Sequence, residues 1–113
     1  MFSEGERRRF NDIVENISAI EDYTGGLDLH GFMRDRKTMD ATERCLARVT
    51  EAVIQIGPKQ MAEVAPDLQV FAVRGLGNEL RHAYHRIDPE TIYNTIRERL
   101  PALKRACLAA LGA

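Results

Sequence analysis

The sequence predicts an all-α protein, and three observations support that prediction. Apolar side chains recur every three or four residues through most of the 113-residue chain, which is the spacing of one helix face. No stretch shows the sustained alternation of apolar and polar residues that is typical of a strand. Short turn signals divide the chain into segments of helical length: Gly25-Gly26, Gly57-Pro58 and Asp88-Pro89. Amphipathic helices with mostly short connections favour an up-and-down four-helix bundle, formed as a single domain over residues 1–113.

The first two helices are indicated by a capping signal and by apolar stripes. Ser3 and Glu6 fit a capping box for a helix over residues 3–23. Its apolar stripe consists of Phe10, Ile13, Val14, Ile17 and Ile20. Residues 27–37 are predicted as a loop, with Asp35 or Thr38 as the cap of a second helix over residues 38–56. That helix has its own apolar face: Cys45, Leu46, Val49, Val53 and Ile56.

The second half of the chain is predicted to contain two further long helices. A short helical piece over residues 59–64 is expected to precede the third helix, over residues 66–83. Asp88 is a suitable cap for the fourth helix, with Pro89 at its first position and Glu90 at the positive end of its dipole. Pro101 is expected to kink this helix, because its ring clashes with a carbonyl one turn back. The fourth apolar stripe runs towards the C-terminus: Ile92, Ile96, Leu100, Leu103 and Leu108.

The composition argues against a general nucleic-acid coat protein and against a membrane protein. The formal net charge is −1, so any contact with RNA has to be local. No apolar run approaches the roughly 20 residues that cross a membrane, and the acidic, polar start does not resemble a signal peptide. Cys45 and Cys107 stand apart without a partner pattern, which indicates buried thiols in a reducing compartment. We therefore expect a cytoplasmic protein.

The segment from residue 74 to residue 86 concentrates basic side chains and predicts a phosphate-handling site. Guanidinium groups bind phosphate through two parallel hydrogen bonds, and histidine exchanges protons near neutral pH. A tyrosine hydroxyl, that of Tyr84, lies within the same segment. The basic members are Arg74, Arg81, His82, His85 and Arg86.

A helical projection places most of these side chains on one stripe of the third helix. At about 100° per residue, Arg81 and His85 each fall within about 20° of Arg74. Asn78 and His82 fall within about 80° of Arg74. Apolar residues occupy a different arc, so this helix is expected to bury one face and to present a polar, basic face beside it.

Two aromatic residues, Tyr84 and Phe71, do not fit the simple division into a polar and an apolar face. Tyr84 points about 160° away from His82 on a continuous helix. For both side chains to share one site, the helix has to loosen near Ala83, or Tyr84 has to act across a subunit interface. A core-edge aromatic with a solvated hydroxyl is the alternative role for Tyr84. Phe71 falls inside the polar stripe, where its ring could wall the site or stack on a base.

Gly75 and Gly77 lie inside the same predicted helix, each at a cost of about 1 kcal/mol relative to alanine. Such a cost suggests the close approach of another backbone or of a ligand. The pair is not a dinucleotide-binding fingerprint, because no strand precedes it and the third glycine is absent. We therefore expect no cofactor.

Three other roles for this segment have less support from its residues than a phosphate site. A plain solvated face normally carries Lys and Glu, whereas this stripe mixes Asn, His and Arg. Glu79, His82 and His85 are spaced three apart and could approach one ion, but no cysteine or further histidine reinforces them, so no metal is expected. A nucleophilic triad has no support, because neither cysteine has a partner and no Gly-x-Ser-x-Gly elbow occurs.

Three consecutive patterns are shared with a known family: Asn78-x-x-x-His82-x-Tyr84, then Ile87-Asp88-Pro89, then Leu100-Pro101-x-Leu103-Lys104. On these residues the chain resembles the HepT-like toxins of the HEPN superfamily. Residues 32–41 and 49–57 are similar to the start and the body of that family's second helix. The resemblance covers residues 11–108, nearly the whole chain.

The resemblance implies a specific function. Members of the family are four-helix bundles that dimerise, so we expect a homodimer with two motifs in a shared cleft. They are toxins that cleave RNA without a metal, and a minimal nucleotidyltransferase antitoxin of the MntA type adds AMP to the motif tyrosine. By resemblance, His82 is the catalytic acid and base, Tyr84 is the modified hydroxyl, and Asn78 is the polar residue of the motif.

The chain departs from the family at one position. The family's arginine directly precedes the asparagine, where this chain has Gly77. Arg74, one turn before Asn78, and Arg81 are the two candidates to replace it as catalytic arginine. With His85 and Arg86 they are also the expected RNA contacts. Two alternatives stay open: a non-catalytic module that binds a nucleotidyltransferase and nucleotide or RNA, and a plain helical dimerisation protein.

Overall fold

The computed structural model describes residues 2–83, 85 and 87–112, and these residues form seven helices and no strand. The all-α prediction is therefore confirmed. The radius of gyration over Cα atoms is 13.7 Å, close to the value of about 13 Å expected for one folded domain of this length. The up-and-down bundle and the homodimer stay predictions. The helices in order are α1 (Glu4–Thr24), α2 (Leu29–Arg34), α3 (Arg36–Ile56), α4 (Pro58–Val64), α5 (Val70–His82), α6 (Pro89–Glu98) and α7 (Leu100–Ala110).

Helix α1 begins with the predicted capping box. The Glu6 backbone N–H donates to Ser3 Oγ at 3.0 Å, and the Ser3 backbone N–H donates to Glu6 Oε1 at 2.8 Å. The two bonds satisfy backbone donors that the first helical turn leaves open. The predicted apolar stripe faces α3 and α7, and its fifth member, Val14, is half-buried. The other four side chains are completely buried: Phe10, Ile13, Ile17 and Ile20.

The loop predicted over residues 27–37 was wrong, because it contains the short helix α2. Asp28 caps this helix by accepting a hydrogen bond from the Gly31 backbone N–H at 2.8 Å. Phe32 is completely buried and anchors α2 to the core. A six-residue helix has too few turns to show a repeating apolar stripe, so periodicity does not detect it.

Helix α3 is the central element of the fold. Asp35, one of the two predicted caps, accepts from the Thr38 backbone N–H at 3.0 Å, so α3 begins at Arg36 rather than at Thr38. That hydrogen bond lowers the pKa of the Asp35 carboxyl. The predicted apolar face is buried, and α3 packs against α1, α2, α4 and α5. The short helix predicted over residues 59–64 is confirmed as α4.

Helix α5 is shorter than the third helix predicted over residues 66–83. It begins at Val70, because residues 65–68 form a turn in which the Leu68 backbone N–H donates to the Ala65 carbonyl at 3.0 Å. It packs mainly on α3, and its buried residues are Gly77 and Leu80. The helix that carries the predicted site is therefore supported chiefly by one neighbour.

The fourth predicted helix is two helices, α6 and α7, separated at Arg99. Asp88 caps α6 as predicted, accepting from the Glu90 backbone N–H at 3.3 Å. Pro101 does not kink a continuous helix as predicted, because it lies in the first turn of α7. There its missing N–H has no intrahelical acceptor to lose, so proline is tolerated.

Within the described residues, no helix is both long enough and apolar enough to cross a membrane. The buried apolar side chains of the helices form one hydrophobic core.

Candidate functional site

The C-terminal half of α5 presents the predicted site residues to solvent. Arg74, Asn78, Arg81 and His82 are all exposed, while Gly77 and Leu80 between them face the interior. This split follows from the helical period, which returns every third or fourth residue to the same face. The structure therefore confirms that α5 buries one face and exposes a polar, basic one.

Helix α5 ends at His82. Ala83 is its C-cap, with φ −146° and ψ 38°, and the Ala83 backbone N–H donates to the Glu79 carbonyl at 2.8 Å. The projection that placed His85 within the stripe of Arg74 and Arg81 was wrong, because it extended the helix past its end. His85 is exposed beyond the end of α5. His82 is thus the last residue of α5 in the site.

Two predicted site residues lie outside the described residues. These are Tyr84, the predicted site of AMP addition, and Arg86, a predicted RNA contact. Their roles stay predictions.

Arg81 makes two hydrogen bonds that fix the position of its guanidinium group. Its Nη2 donates to Asn78 Oδ1 at 2.8 Å, one turn back on α5. Its Nη1 donates to Glu51 Oε2 on α3 at 3.3 Å, which is also an ion pair. The structure thus brings together two of the predicted catalytic residues, Arg81 and Asn78.

The ion pair is part of a longer polar chain across three helices. Gln55 Nε2 donates to Glu51 Oε1 at 2.9 Å. Arg9 Nε on α1 in turn donates to Gln55 Oε1 at 3.1 Å. Sequence reasoning missed Glu51 and Gln55, because an i, i+4 polar pair on a helix surface is ordinary and gives no sign of a contact thirty residues away.

Gly77 lies on the face of α5 that packs against α3, next to Thr50. A Cβ atom at this position would lie 2.8 Å from Thr50 Oγ1 and 3.2 Å from Thr50 Cβ. Thr50 is buried and its hydroxyl donates to the Ala47 carbonyl at 2.8 Å, so it has little freedom to move. The close approach at Gly77 is therefore to the Thr50 side chain, and not to the backbone or the ligand that the sequence suggested. Gly75 has no atom within 4 Å of its would-be Cβ, so the structure gives no such reason for it.

The same position explains how the site differs from the family pattern. The Arg81 Nη1 atom lies 3.4 Å from the point that a Cβ at Gly77 would occupy. The guanidinium of Arg81 therefore reaches back over Gly77, to the place from which an arginine at position 77 would extend. Arg74 is exposed, and within the described part of the chain it forms no hydrogen bond or ion pair.

An apolar groove borders the other side of α5. It has a volume of about 390 Å³ and contains none of the predicted catalytic residues. Phe71 is 88% exposed and does not line this groove, and its predicted role beside the site stays a prediction. The groove is lined mostly by apolar side chains of α3, α5 and α7, including Val49, Val53, Leu76, Leu100 and Leu103.

The cysteines and the acidic residues do not form a second reactive centre. Cys45 and Cys107 are buried free thiols, and burial raises the pKa of the Cys107 thiol to about 12. A thiol with such a pKa is almost entirely protonated at neutral pH and is a poor nucleophile. Among the described residues, no three His, Cys, Asp or Glu side chains gather as a metal site.

These features define an all-helical protein with a histidine and an arginine–asparagine pair at the solvent-exposed end of one helix. The family model described as "Ribonuclease HepT-like" matches residues 13–110. The chain therefore belongs to the HepT-like ribonuclease family.

Curated relatives agree with this assignment. A protein of Thermococcus cleftensis named as a probable ribonuclease HepT is 31% identical over 93 residues, covering 82% of this chain and 84% of the relative. A protein of Methanocaldococcus jannaschii named as an RNase is 29% identical over 94 residues, covering 83% and 77%. A second RNase-named protein of that organism is also 29% identical over 94 residues, covering 83% and 80%. No solved structure matches the chain.

Proposed function

We propose that this protein is a metal-independent RNA endonuclease and the toxin of a toxin–antitoxin pair. The proposal is supported above all by Arg81, which is held against Asn78 next to His82. Membership of the HepT-like ribonuclease family gives this arrangement its substrate class. The protein acts as a cytoplasmic homodimer in this proposal, with two such sites in a shared cleft.

The reaction follows from the chemistry of RNA. Neutral His82 removes the proton from a ribose 2′-hydroxyl, whose oxygen attacks the neighbouring phosphorus. The bond from phosphorus to the 5′-oxygen breaks, and a protonated histidine, that of the second subunit, donates a proton to the leaving oxygen. The products are a 2′,3′-cyclic phosphate and a free 5′-hydroxyl. Arg81 stabilises the charge that develops on the phosphoryl oxygens.

Arg81 is better placed than Arg74 to serve as the catalytic arginine. Its guanidinium is fixed by two acceptors and lies beside the family's arginine position at Gly77. Arg74 is a full turn further from His82 than Asn78 and has no such support among the described residues. A preorganised cation stabilises a transition state better than a mobile one, because it does not have to be ordered during the reaction.

We expect purified wild-type protein to cleave RNA in the presence of EDTA, and the two arginine variants to separate the candidates. Arg81→Gln should lower the cleavage rate by about 100-fold, the usual effect of losing one preorganised donor. Arg74→Gln, which removes the same charge from the same helix, should weaken RNA binding without a comparable loss of rate. Cleavage is measured on labelled RNA at saturating protein. A larger rate loss in Arg74→Gln than in Arg81→Gln would reverse the assignment.

The antitoxin of this proposal is a minimal nucleotidyltransferase that transfers AMP to Tyr84. An added phosphate brings negative charge and bulk into the basic segment that includes Arg81 and His82, which opposes RNA binding. We expect co-expression with a minimal nucleotidyltransferase of the MntA type to increase the intact mass by one or more AMP units and to stop cleavage. The Tyr84→Phe variant should gain no mass and stay active; AMP found on this variant would contradict the assignment of Tyr84.

A non-catalytic RNA- or nucleotide-binding module is the second candidate, and Gly77 favours it because the family's arginine is absent there. Wild-type protein that binds RNA in EDTA without cleaving it would establish this alternative.

A further inference from the structure

We propose that Glu51 is the positioning residue for the Arg81 guanidinium, a role that rests on the proposed ribonuclease function. Glu51 lies on α3, thirty residues before Arg81, and its Oε2 accepts from Arg81 Nη1 at 3.3 Å. It does not belong to the motif segment of α5. Its contribution is to hold the catalytic arginine.

Both oxygens of the Glu51 carboxylate are engaged. While Oε2 accepts from Arg81, Oε1 accepts from Gln55 Nε2 at 2.9 Å. Gln55 is held in turn by Arg9 Nε, which donates to Gln55 Oε1 at 3.1 Å. The carboxylate is therefore oriented from α1 and α3 before it meets α5.

The two contacts of Arg81 leave its remaining donors for a substrate. Within the described residues, Nη1 donates to Glu51 and Nη2 to Asn78, which uses two of the five guanidinium N–H groups and leaves three for phosphoryl oxygens. A long arginine side chain loses much rotational freedom when it is fixed. Because Glu51 and Asn78 accept from separate nitrogens of the guanidinium, they fix its orientation before RNA binds.

Helix α3 is a suitable element for this task. Thr50 and Ala52, the neighbours of Glu51 in sequence, are buried in the core. The backbone that carries Glu51 is thus rigid, whereas α5 packs mainly on one neighbour. The side chains of the ion pair stay partly exposed, at 37% for Arg81 and 51% for Glu51, so a phosphate can still reach the guanidinium.

The Glu51 carboxylate has two opposing effects, because it holds Arg81 by a hydrogen bond but its negative charge weakens RNA binding. A negative charge beside Arg81 repels RNA phosphates, so its removal alone should tighten RNA binding. Glu51→Gln and Glu51→Ala remove the same charge, but only glutamine keeps an oxygen that accepts from Arg81. A difference between the two variants therefore reports hydrogen bonding rather than charge.

We expect Glu51→Ala to lower kcat roughly three- to tenfold, which matches the loss of an exposed charge-assisted contact. Glu51→Gln should keep kcat within about twofold of wild type, and both variants should lower KM. Glu63→Ala, which removes an exposed carboxylate from α4, is the control and should behave like wild type. Equal kcat values for wild type and Glu51→Ala would overturn the positioning role, provided that wild type cleaves RNA.

A second measurement decides the inference even if wild type does not cleave RNA. In ¹⁵N-arginine NMR spectra, the Arg81 signal is assigned by its loss in Arg81→Lys. The two hydrogen bonds should slow rotation about its Cζ–Nη bonds in wild type and in Glu51→Gln, and rotation should become fast in Glu51→Ala. Equally fast rotation in all three proteins would show that Glu51 does not hold Arg81, whatever the activity of the protein.

Discussion

Replacing His82 with alanine is expected to slow RNA cleavage by about 100- to 10,000-fold, the range that a positioned general acid or base contributes. In the proposed mechanism this substitution removes both proton-transfer groups, because His82 of one subunit accepts the 2′-hydroxyl proton and the histidine of the second subunit protonates the leaving oxygen. His82 is the exposed last residue of α5, so its truncation should leave the thermal unfolding midpoint nearly unchanged. Rates are compared under single-turnover conditions, with protein in excess over RNA.

His30→Ala provides the matched control for this experiment. His30 is also an exposed histidine, but it lies on α2 and outside the motif segment. The His30→Ala protein should cleave RNA at the wild-type rate. Cleavage that persists in His82→Ala, or that falls equally in His30→Ala, would remove His82 from the mechanism.

Gly77→Ala is expected to lower the free energy of unfolding by about 1–3 kcal/mol, the usual cost of overpacking an interior. The new Cβ would meet Thr50 Oγ1 at 2.8 Å and Thr50 Cβ at 3.2 Å. Thr50 is β-branched, buried and hydrogen-bonded to the Ala47 carbonyl, so relief requires α5 to move away from α3. Gly77→Arg, which restores the family's residue, should be destabilised as well and should not gain activity.

Gly75→Ala on the same helix is the control, and its expected effect has the opposite sign. No atom lies within 4 Å of the new Cβ, so this variant should gain about 0.5–1 kcal/mol from helix propensity. Urea unfolding followed by circular dichroism measures both changes. In the double variant Thr50→Ala with Gly77→Ala, most of the steric cost should disappear. A Gly77→Ala protein as stable as Gly75→Ala would show that the two helices are not in tight contact.

Local signals in the sequence predicted much of this fold. The capping box of Ser3 and Glu6 and the cap at Asp88 depend on residues two or three positions apart, and both occur in the structure. The apolar stripes of α1 and α3 were also visible, because each spans 21 residues and repeats its period several times. Such features need no knowledge of distant contacts.

The features that the sequence did not predict depend on a single turn or on distant contacts. Helix α2 has only six residues. The break between α6 and α7 is a single residue, Arg99, and the apolar stripe continues across it, so the stripe does not reveal that Pro101 lies at a helix start. In the candidate site, Asn78 and Arg81 were visible within the α5 pattern. Their partner Glu51 was not, because a surface glutamate on another helix shows its role only when the two helices are packed together.

The contact between Gly77 and Thr50 also bears on how this sequence can evolve. An arginine at position 77 requires a smaller residue at position 50, since the present pair leaves no room for a Cβ atom. A smaller residue at position 50 alone would lose the hydroxyl bond to Ala47 and leave a void beside the glycine. Either order of substitution passes through a less stable protein. This coupling between positions 50 and 77 disfavours any single substitution that would place an arginine at position 77.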